Sequence, residues 1–400
     1  MKQLTLLFAG LLLVAPSRAQ ISRLSPADAA PGNFFGGAVA VDGDQILVGS
    51  TGFDACGASS GAAFLYELDV AGNWNLSAAL KAGDCEPEEY FGRAVSIEGD
   101  VAVVTSFVPT PFAARSNAVY VFERQPDLSW FGNSSGRRGD TWKQTARLTD
   151  PVPGDDGPFA ASATVDGGRI LVTSAGDTAA GRFGGTASIF VKNRMGRWVP
   201  GGSFKPPHDA RYGVFGTSSD LDGSRAVISG STYGLNSPGS AHVFEERNGS
   251  WELTSRIDGV DDYFIPLDLD ADRLILGETR EGQDHTGRAV IYEVRDGAWK
   301  RIADLKPNSP YPSGGFGSAV ALSGDVAAVV GFDEQLKLEF NIDRVVFVFH
   351  RDEDGIWVQS QVIDVGEVYF GSSLALDGHR AVVGKASEDA PGGVYVAGVR

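Results

Sequence analysis

The chain has 400 residues, and its 34 Lys and Arg residues against 51 Asp and Glu residues give a formal net charge of −17. This acidic balance argues against a nucleic-acid partner, because phosphate binding needs a basic surface. The 52 Gly and 23 Phe residues, together with the absence of a sustained 3.6-residue apolar period, predict an all-β chain with few helices.

The first residues have the layout of an export signal. Lys2 precedes an apolar run from Leu4 to Ala15, and a small residue follows at Ala19. We expect cleavage after Ala19, so that residues 1–19 are the signal and residues 20–400 the exported part. The apolar run is short for a bilayer span, and no other run is longer. The sequence thus predicts a secreted, extracellular protein without a membrane span; a periplasmic or cell-surface location stays open.

One pattern recurs seven times from residue 35 onward, with a period near fifty residues. An aromatic residue, usually Phe followed by Gly, begins each copy, and an alternating apolar run leads to a turn seven residues later. The aromatic residues are Phe35, Phe91, Phe159, Phe215, Tyr263, Phe316 and Phe370. The turn residues are Asp42, Glu98, Asp166, Asp222, Asp270, Ser323 and Asp377. Four short apolar runs per copy are typical of a β-propeller blade, so we predict one seven-bladed β-propeller with four-stranded blades over residues 20–400.

A second register marks the outer strand of each blade. Six Trp residues each follow a Gly and precede an apolar residue six positions later, a spacing that puts both side chains on one strand face. They are Trp74, Trp142, Trp198, Trp251, Trp299 and Trp357. The seventh Trp position falls at Arg18, inside the signal, while Leu24 keeps the expected distance to Phe35. We therefore expect the N-terminal strand to join the last blade and close the ring, which removes exposed strand edges.

Two cysteines fit an oxidising compartment. Cys56 lies in the loop between the second and third strands of the first blade, and Cys85 lies in the link to the next blade. Both kinds of connection emerge on the same face of a propeller, so the two thiols can meet. A disulfide here would contribute roughly 3–4 kcal/mol on a chain-entropy estimate. Two free thiols are the alternative.

Acidic residues concentrate in the links between blades. These links share one face, here called the loop face, with the loops between second and third strands, and we expect a negative potential there. Solubility and ordinary loop variation are the alternative explanations. The ligand-binding candidates on this face are Glu86, Glu88, Glu89, Asp155, Asp156, Tyr233, Asp261 and Asp262.

The opposite face, here called the turn face, carries one large insertion, residues 124–141. An aromatic pair beside two arginines makes it a candidate for docking a partner protein, with a polar hairpin tip as the alternative. These docking candidates are Trp130, Phe131, Arg137 and Arg138. Three glycosylation sequons, at Asn75, Asn133 and Asn248, map to the same face. In a host that glycosylates, sugars there would leave the loop face free.

The repeated motifs resemble a known family. "FGGAVAVDGDQILVGS" with "GAAFLYEL", and "FGSAVALSGDVAAVVG" with "RVVFVFH", are similar to FG-GAP repeats, the blades of integrin-α-like seven-bladed propellers. The resemblance covers nearly all of residues 21–400. Members are mostly extracellular recognition and adhesion modules, so the resemblance implies binding of a ligand.

The calcium loop of that family is missing. Calcium-binding FG-GAP repeats carry a longer acidic loop between the first two strands, whereas this chain has a tight Asp-Gly turn that hairpin geometry explains. Too few oxygens converge for a six- to eight-ligand site. The fifth repeat, with Asp268, Asp270 and Asp272, comes nearest. We expect no metal and no cofactor, with calcium as the open alternative.

Catalytic motifs are equally sparse. Residues 57–61 match GxSxG by letters, but they lie between strands and not on a strand-to-helix elbow. We therefore assign no catalytic residues. The favoured function is a secreted, monomeric recognition or adhesion module that binds a protein or glycan on the acidic loop face. The alternative is a secreted hydrolase on a propeller scaffold, metal-assisted through the clustered carboxylates.

Overall fold

The computed structural model describes most of the chain, in eleven ranges. They are residues 21–108, 117–126, 141–152, 159–175, 184–205, 215–231, 239–260, 265–280, 284–312, 314–333 and 344–399. Within these ranges every regular element is a β-strand. They contain no helix with the length and apolar character that a membrane crossing requires.

The strands form seven antiparallel four-stranded sheets, as the repeats predicted. Blade 1 contains β2 (Ala38–Asp42), β3 (Gln45–Ser50), β4 (Ala62–Leu68) and β5 (Trp74–Leu80). Blade 2 contains β6 (Val95–Glu98), β7 (Val101–Ser106), β8 (Ala118–Gln125) and β9 (Thr141–Leu148). Blade 3 contains β10 (Phe159–Asp166), β11 (Arg169–Ser174), β12 (Thr186–Lys192) and β13 (Trp198–Phe204). Blade 4 contains β14 (Ser219–Asp222), β15 (Arg225–Ser231), β16 (Gly239–Arg247) and β17 (Ser250–Val260).

The remaining blades follow the same order. Blade 5 contains β18 (Leu267–Asp270), β19 (Arg273–Glu278), β20 (Arg288–Arg295) and β21 (Ala298–Leu305). Blade 6 contains β22 (Val320–Ser323), β23 (Val326–Phe332), β24 (Arg344–Arg351) and β25 (Trp357–Ile363). Blade 7 contains β26 (Phe370–Asp377), β27 (Arg380–Lys385), β28 (Gly393–Gly398) and the N-terminal β1 (Ile21–Leu24). The first strand of each blade lines a central channel.

The middle strands of a blade are buried because a neighbouring blade covers each face. In blade 1, five consecutive residues of β3 and the first five of β4 are buried, whereas the outer strand β5 is mostly exposed. This is why the second and third strands are near-continuous apolar runs, while the outer strands are largely polar.

The motif aromatic residue is the wedge between two blades. Phe91 is fully buried and packs against Leu47 and Leu65 of blade 1 as well as Tyr120 of its own blade. The other described motif residues, Phe35, Phe159, Phe215, Phe316 and Phe370, are at most 4% exposed. Tyr263 lies outside the described residues, and Ile265 is buried near that point of blade 5.

The glycines of the motif allow the blades to approach closely. A Cβ atom on Gly49, in the second strand of blade 1, would lie 2.0 Å from the carbonyl oxygen of Gly92, which follows Phe91 in blade 2. No side chain fits in that space. The Phe-Gly pair of one blade and the Gly in the second strand of the preceding blade therefore contact each other directly.

A circle of seven hydrogen bonds joins the blades at the turn face. The side chain of each turn residue accepts a hydrogen bond from the backbone N–H of the residue that follows the turn residue of the next blade. The donors are Gly99, Gly167, Gly223, Ala271, Gly324, Gly378 and Gly43, and their acceptors are Asp42, Glu98, Asp166, Asp222, Asp270, Ser323 and Asp377, in that order. These residues thus do more than form hairpins, since each one holds the neighbouring blade.

The last blade takes its outer strand from the N-terminus. β1 pairs antiparallel with β28, with Ile21 opposite Ala397 and Leu24 opposite Val394. Leu24 is 5% exposed and joins Phe35 and Val394 in one apolar cluster, which lies between blade 7 and blade 1. The two ends of the chain therefore hold each other in place.

Truncation of the Leu24 side chain tests this closure. Loss of a buried Leu side chain costs about 2–5 kcal/mol, so we expect Leu24→Ala to lower the free energy of unfolding by that amount. Ile21→Ala, on the same strand but with a side chain 38% exposed, is the matched control and should cost less than about 1 kcal/mol. Denaturant unfolding measures both. Equal small losses would mean that β1 is not part of the last blade in solution.

Candidate functional site

The loop face holds three of the predicted ligand-binding residues in one link, between β5 and β6. Glu86 and Glu88 are exposed. Glu89 is buried, and the hydroxyl of Tyr120 donates to its Oε1 over 2.5 Å. Burial, together with this hydrogen bond, raises the pKa of Tyr120 above its ordinary value. Glu89 therefore holds the link on blade 2, and only Glu86 and Glu88 face outward.

The same device recurs in blade 7. Tyr395, at the corresponding position of a third strand, donates its hydroxyl to Glu367 of the preceding link, and Lys385 pairs with the same carboxylate. Hydrogen bonds from Lys385 and Tyr395 lower the pKa of Glu367 against the opposing effect of burial. A link carboxylate held by a third-strand Tyr is thus a structural feature of two blades, with Glu89 buried and Glu367 half-buried.

The other predicted site residues divide into two groups. Asp155, Asp156, Tyr233, Asp261, Asp262, Trp130, Phe131, Arg137, Arg138 and Asn133 lie outside the described residues. Asn75 and Asn248 are exposed on the turn face. The amide of Asn75 donates to Asp69 Oδ2 over 2.9 Å, and Asn248 adopts a φ of 53° in the turn between β16 and β17.

The two cysteines form a disulfide on the loop face. Cys56, in the loop between β3 and β4, is bonded to Cys85, in the link between β5 and β6. The backbone N–H groups of Glu88, Tyr90 and Phe91 also donate to carbonyl oxygens of that loop, over 2.8, 3.0 and 3.1 Å. The loop and the link are therefore one rigid unit.

Three aromatic residues on the loop face have unusual backbone conformations. Phe34, Tyr90 and Tyr369 directly precede the motif Phe of blades 1, 2 and 7, and their φ angles are 53°, 47° and 66°. L-residues with a Cβ avoid this left-handed region at a cost of roughly 1–2 kcal/mol. Blade 6 has Gly315, with φ 54°, at the same step. Three adjacent blades thus carry a large aromatic residue where glycine satisfies the backbone better.

A cavity of about 320 Å³ opens on this face between blades 1 and 2. The described residues that line it are Thr51, Tyr90, Arg93 and Phe107. The guanidinium carbon of Arg93 lies 4.8 Å from the ring centroid of Phe107, which is a cation–π contact. The sequence gives no sign that Arg93 and Phe107 are in contact. Arg93 precedes β6 and Phe107 follows β7, and only the folded blade brings the two side chains together.

The central channel is the second candidate site, with a volume of about 450 Å³. Two positions before each turn residue, seven side chains form a layer inside it: Ala40, Ser96, Thr164, Asp220, Asp268, Ala321 and Ala375. Four polar residues therefore lie on one side of the channel and three alanines on the other. The polar side includes two carboxyl groups on adjacent blades.

Asp220 and Asp268 are hydrogen-bonded to each other inside the channel. Asp220 accepts backbone N–H bonds from Leu221 and Leu269, over 2.9 and 2.8 Å, whereas Asp268 accepts one, from Leu322 over 2.6 Å. The carboxylate with two N–H donors is the better place for the negative charge, so Asp268 is the protonated partner and donates to Asp220. Protein surrounds both groups, although water in the channel can reach them.

Burial is the main cause of the raised pKa values of this pair. It raises the pKa of Asp220 to about 6, and it raises the pKa of Asp268 well above its ordinary value, with the charge of Asp220 as the next cause. Two carboxylates this close cannot both ionise without mutual repulsion. The pair thus holds one proton at neutral pH.

The acidic side chains of blade 5 do not converge on a common point. Asp268 and Asp270 accept backbone N–H bonds from Leu322 and Gly324 of blade 6, and Asp272 pairs with Arg225 over 2.9 Å. In the described part of the chain, no group of three or more His, Cys, Asp or Glu side chains is arranged to hold a metal ion.

Comparison with known proteins agrees with this architecture. Residues 19–66 and 74–122 match the FG-GAP repeat. Together with the seven blades, these matches confirm the FG-GAP propeller that the motifs indicated. No curated protein matches the sequence.

Solved structures add a likeness of fold. A putative 6-phosphogluconolactonase from Bacteroides uniformis is 14% identical, with a TM-score of 0.51 over 82% of this chain and 85% of that one. A periplasmic gluconolactonase from Pseudomonas aeruginosa is 16% identical, with a TM-score of 0.48 over the same shares. At these identities the likeness concerns the fold alone.

The shared proton predicts how stability varies with pH. An acid with a raised pKa in the folded state stabilises the fold at low pH, and that contribution is lost as the pH rises from about 4 through the folded-state pKa. Asp268→Asn keeps a donor toward Asp220 and an acceptor for Leu322, and it cannot ionise. We expect it to be more stable than the wild type at pH 8 by roughly 1–3 kcal/mol, and nearly equal at pH 4.

Asp220→Asn is the matched control. Its amide nitrogen would face a backbone N–H, because both oxygens of Asp220 accept such bonds, so this variant should be less stable than the wild type at pH 8. Urea unfolding between pH 4 and pH 8 measures the three proteins. Parallel stability curves for the wild type and Asp268→Asn would show that the pair does not share a proton.

Proposed function

We propose that the protein is an exported recognition module that binds a protein or glycan ligand on its loop face. The observation that carries the proposal is the set of three aromatic residues, Phe34, Tyr90 and Tyr369, on adjacent blades. Their left-handed backbone works against folding, and blade 6 shows that glycine serves at the same step. Side chains that are kept at a cost to stability are typical of functional surfaces.

The scaffold beneath these residues suits recognition. Binding residues are most effective on loops that a rigid framework positions, and the disulfide with its neighbouring backbone hydrogen bonds supplies such a framework around Tyr90. Tyr and Phe contribute large contact areas at a low entropic cost. Phe34 is 37% exposed and Tyr369 is 51% exposed, so both are accessible to a ligand.

Export rests on separate support. The first nineteen residues have the layout of a signal, the disulfide fits an oxidising compartment, and FG-GAP propellers are mostly extracellular modules. An extracellular or periplasmic site is where we place the mature protein.

A triple variant tests the binding face. Phe34→Gly, Tyr90→Gly and Tyr369→Gly together remove the aromatic side chains and relieve the left-handed strain. In a screen against arrayed glycans and extracellular proteins, we expect at least one ligand that the variant binds tenfold or more weakly, with a melting temperature that is not lowered.

Val70→Gly, Met195→Gly and Ile356→Gly form the control triple. These exposed apolar residues lie in the hairpin turns of the other face, so binding should be unchanged. Ligands that bind the aromatic variant as tightly as the wild type would contradict the proposal. Turnover of a screened substrate without retained binding would favour the hydrolase instead.

A further inference from the structure

Arg93 differs from most arginines of the described ranges. Most of them pair with carboxylates, as Arg273 does with Glu293 over 3.0 Å and Arg288 with Glu278 over 2.6 Å. The guanidinium of Arg93 contacts the ring of Phe107 and has no carboxylate partner among the described residues, although its side chain is exposed on a protein of net charge −17. A stacked guanidinium presents its N–H edge outward, which matches a carboxylate in a two-pronged hydrogen bond.

The rest of the cavity lining is suited to a sugar ring. The rings of Tyr90 and Phe107 offer flat apolar surfaces, against which the C–H face of a pyranose packs. The hydroxyls of Thr51 and Tyr90 have no hydrogen-bond partner among the described residues, so they are available to ligand hydroxyls. A volume of about 320 Å³ is at the small end of ligand pockets, enough for one ring and part of its neighbour.

The backbone around the cavity argues against a peptide carboxylate. Capture of a chain terminus uses a nest of free N–H groups. Here the N–H groups of Tyr90, Arg93 and Phe107 already donate to the carbonyl oxygens of Ser59, Thr105 and Glu89, over 3.0, 3.3 and 3.0 Å. The guanidinium is therefore the group that meets a carboxylate, and rings and hydroxyls meet the remainder of the ligand.

We infer that this cavity binds one carboxylate-bearing sugar residue, a hexuronate within an acidic glycan. The inference rests on the proposed recognition function and gives its ligand a chemical class. The disulfide between Cys56 and Cys85 holds the link that carries Tyr90, so the cavity is formed before the ligand arrives.

Calorimetric titration with defined oligouronides tests the inference. The probes are trimers of galacturonate, of glucuronate-containing disaccharide units and of mannuronate, each beside its methyl ester, in which the carboxylate charge is removed and the ring is retained. We expect at least one acidic trimer to bind, its methyl ester to bind tenfold or more weakly, and salt to weaken the acidic trimer more than the ester.

Three variants separate binding from folding. Arg93→Met should weaken the acidic trimer tenfold or more and leave the methyl ester unchanged. Arg344→Met is the matched control, because Arg344 stacks on Phe332 at 5.7 Å in blade 6, away from the cavity, and its affinity should equal that of the wild type. Tyr90→Gly should also weaken binding while the melting temperature is unchanged or raised. If the ring had only a structural role, its removal would lower the melting temperature.

Two outcomes overturn the inference. The first is that no acidic trimer binds, and the second is that Arg93→Met binds as tightly as the wild type. If another ligand from the screen still depends on Phe34 and Tyr369, the recognition function stands and only the ligand class is wrong. If Arg93→Met instead loses a peptide ligand, the cavity takes a peptide carboxylate and the sugar assignment fails.

Discussion

The circle of side-chain-to-backbone hydrogen bonds at the turn face is the constraint on which the propeller depends. The innermost strands β6, β14, β18 and β22 have four residues each, so the apolar contact that these strands themselves offer a neighbouring blade is small. Each turn side chain instead accepts an N–H from the next blade, and the bond from Gly43 to Asp377 joins blade 1 to blade 7. Because the circle is closed, every blade is bonded to both of its neighbours at this face, and the pairing of β1 with β28 gives blade 7 its fourth strand.

The acid pair in the channel is a further use of the same geometry. One layer deeper, Ser96 accepts the N–H of Val165, Asp220 that of Leu269, and Asp268 that of Leu322. Asp220 and Asp268 are therefore positioned in the same way as the turn carboxylates, by accepting a backbone N–H of the next blade. Burial and mutual repulsion raise the pKa values of these two carboxyls on adjacent blades, and the described lining of the channel contains no Lys or Arg beside them. The pair forms a contact between blades, in which backbone donors occupy both oxygens of Asp220 and one oxygen of Asp268.

The repeat made the blades predictable, whereas contacts across blades were harder to foresee. Strand periodicity and the seven-residue offset are local backbone properties, so the strands and the role of Leu24 followed from them. The turn acids looked sufficient as hairpin residues, although six acidic residues at one offset were a signal that the side chain itself is used. Glu89 was grouped with Glu86 as a ligand candidate, and the matching Tyr120 and Tyr395 were the clue that such link carboxylates can be buried. Arg93 and Phe107 meet only through the fold.

The environment of Arg93 differs from that of the arginines on the turn face. On the turn face, Arg225 and Arg273 each reach the next blade, donating to the carbonyls of Ala271 and Gly324 over 2.6 and 2.7 Å, so their hydrogen bonds hold the ring together. On the loop face, Arg93 makes no such bond with the residues that the structure describes, and Tyr90 beside it has a left-handed backbone conformation. Groups that contribute to stability are explained by the fold. Arg93 and Tyr90 line the same cavity on the loop face, and the proposed ligand is our explanation for their side chains.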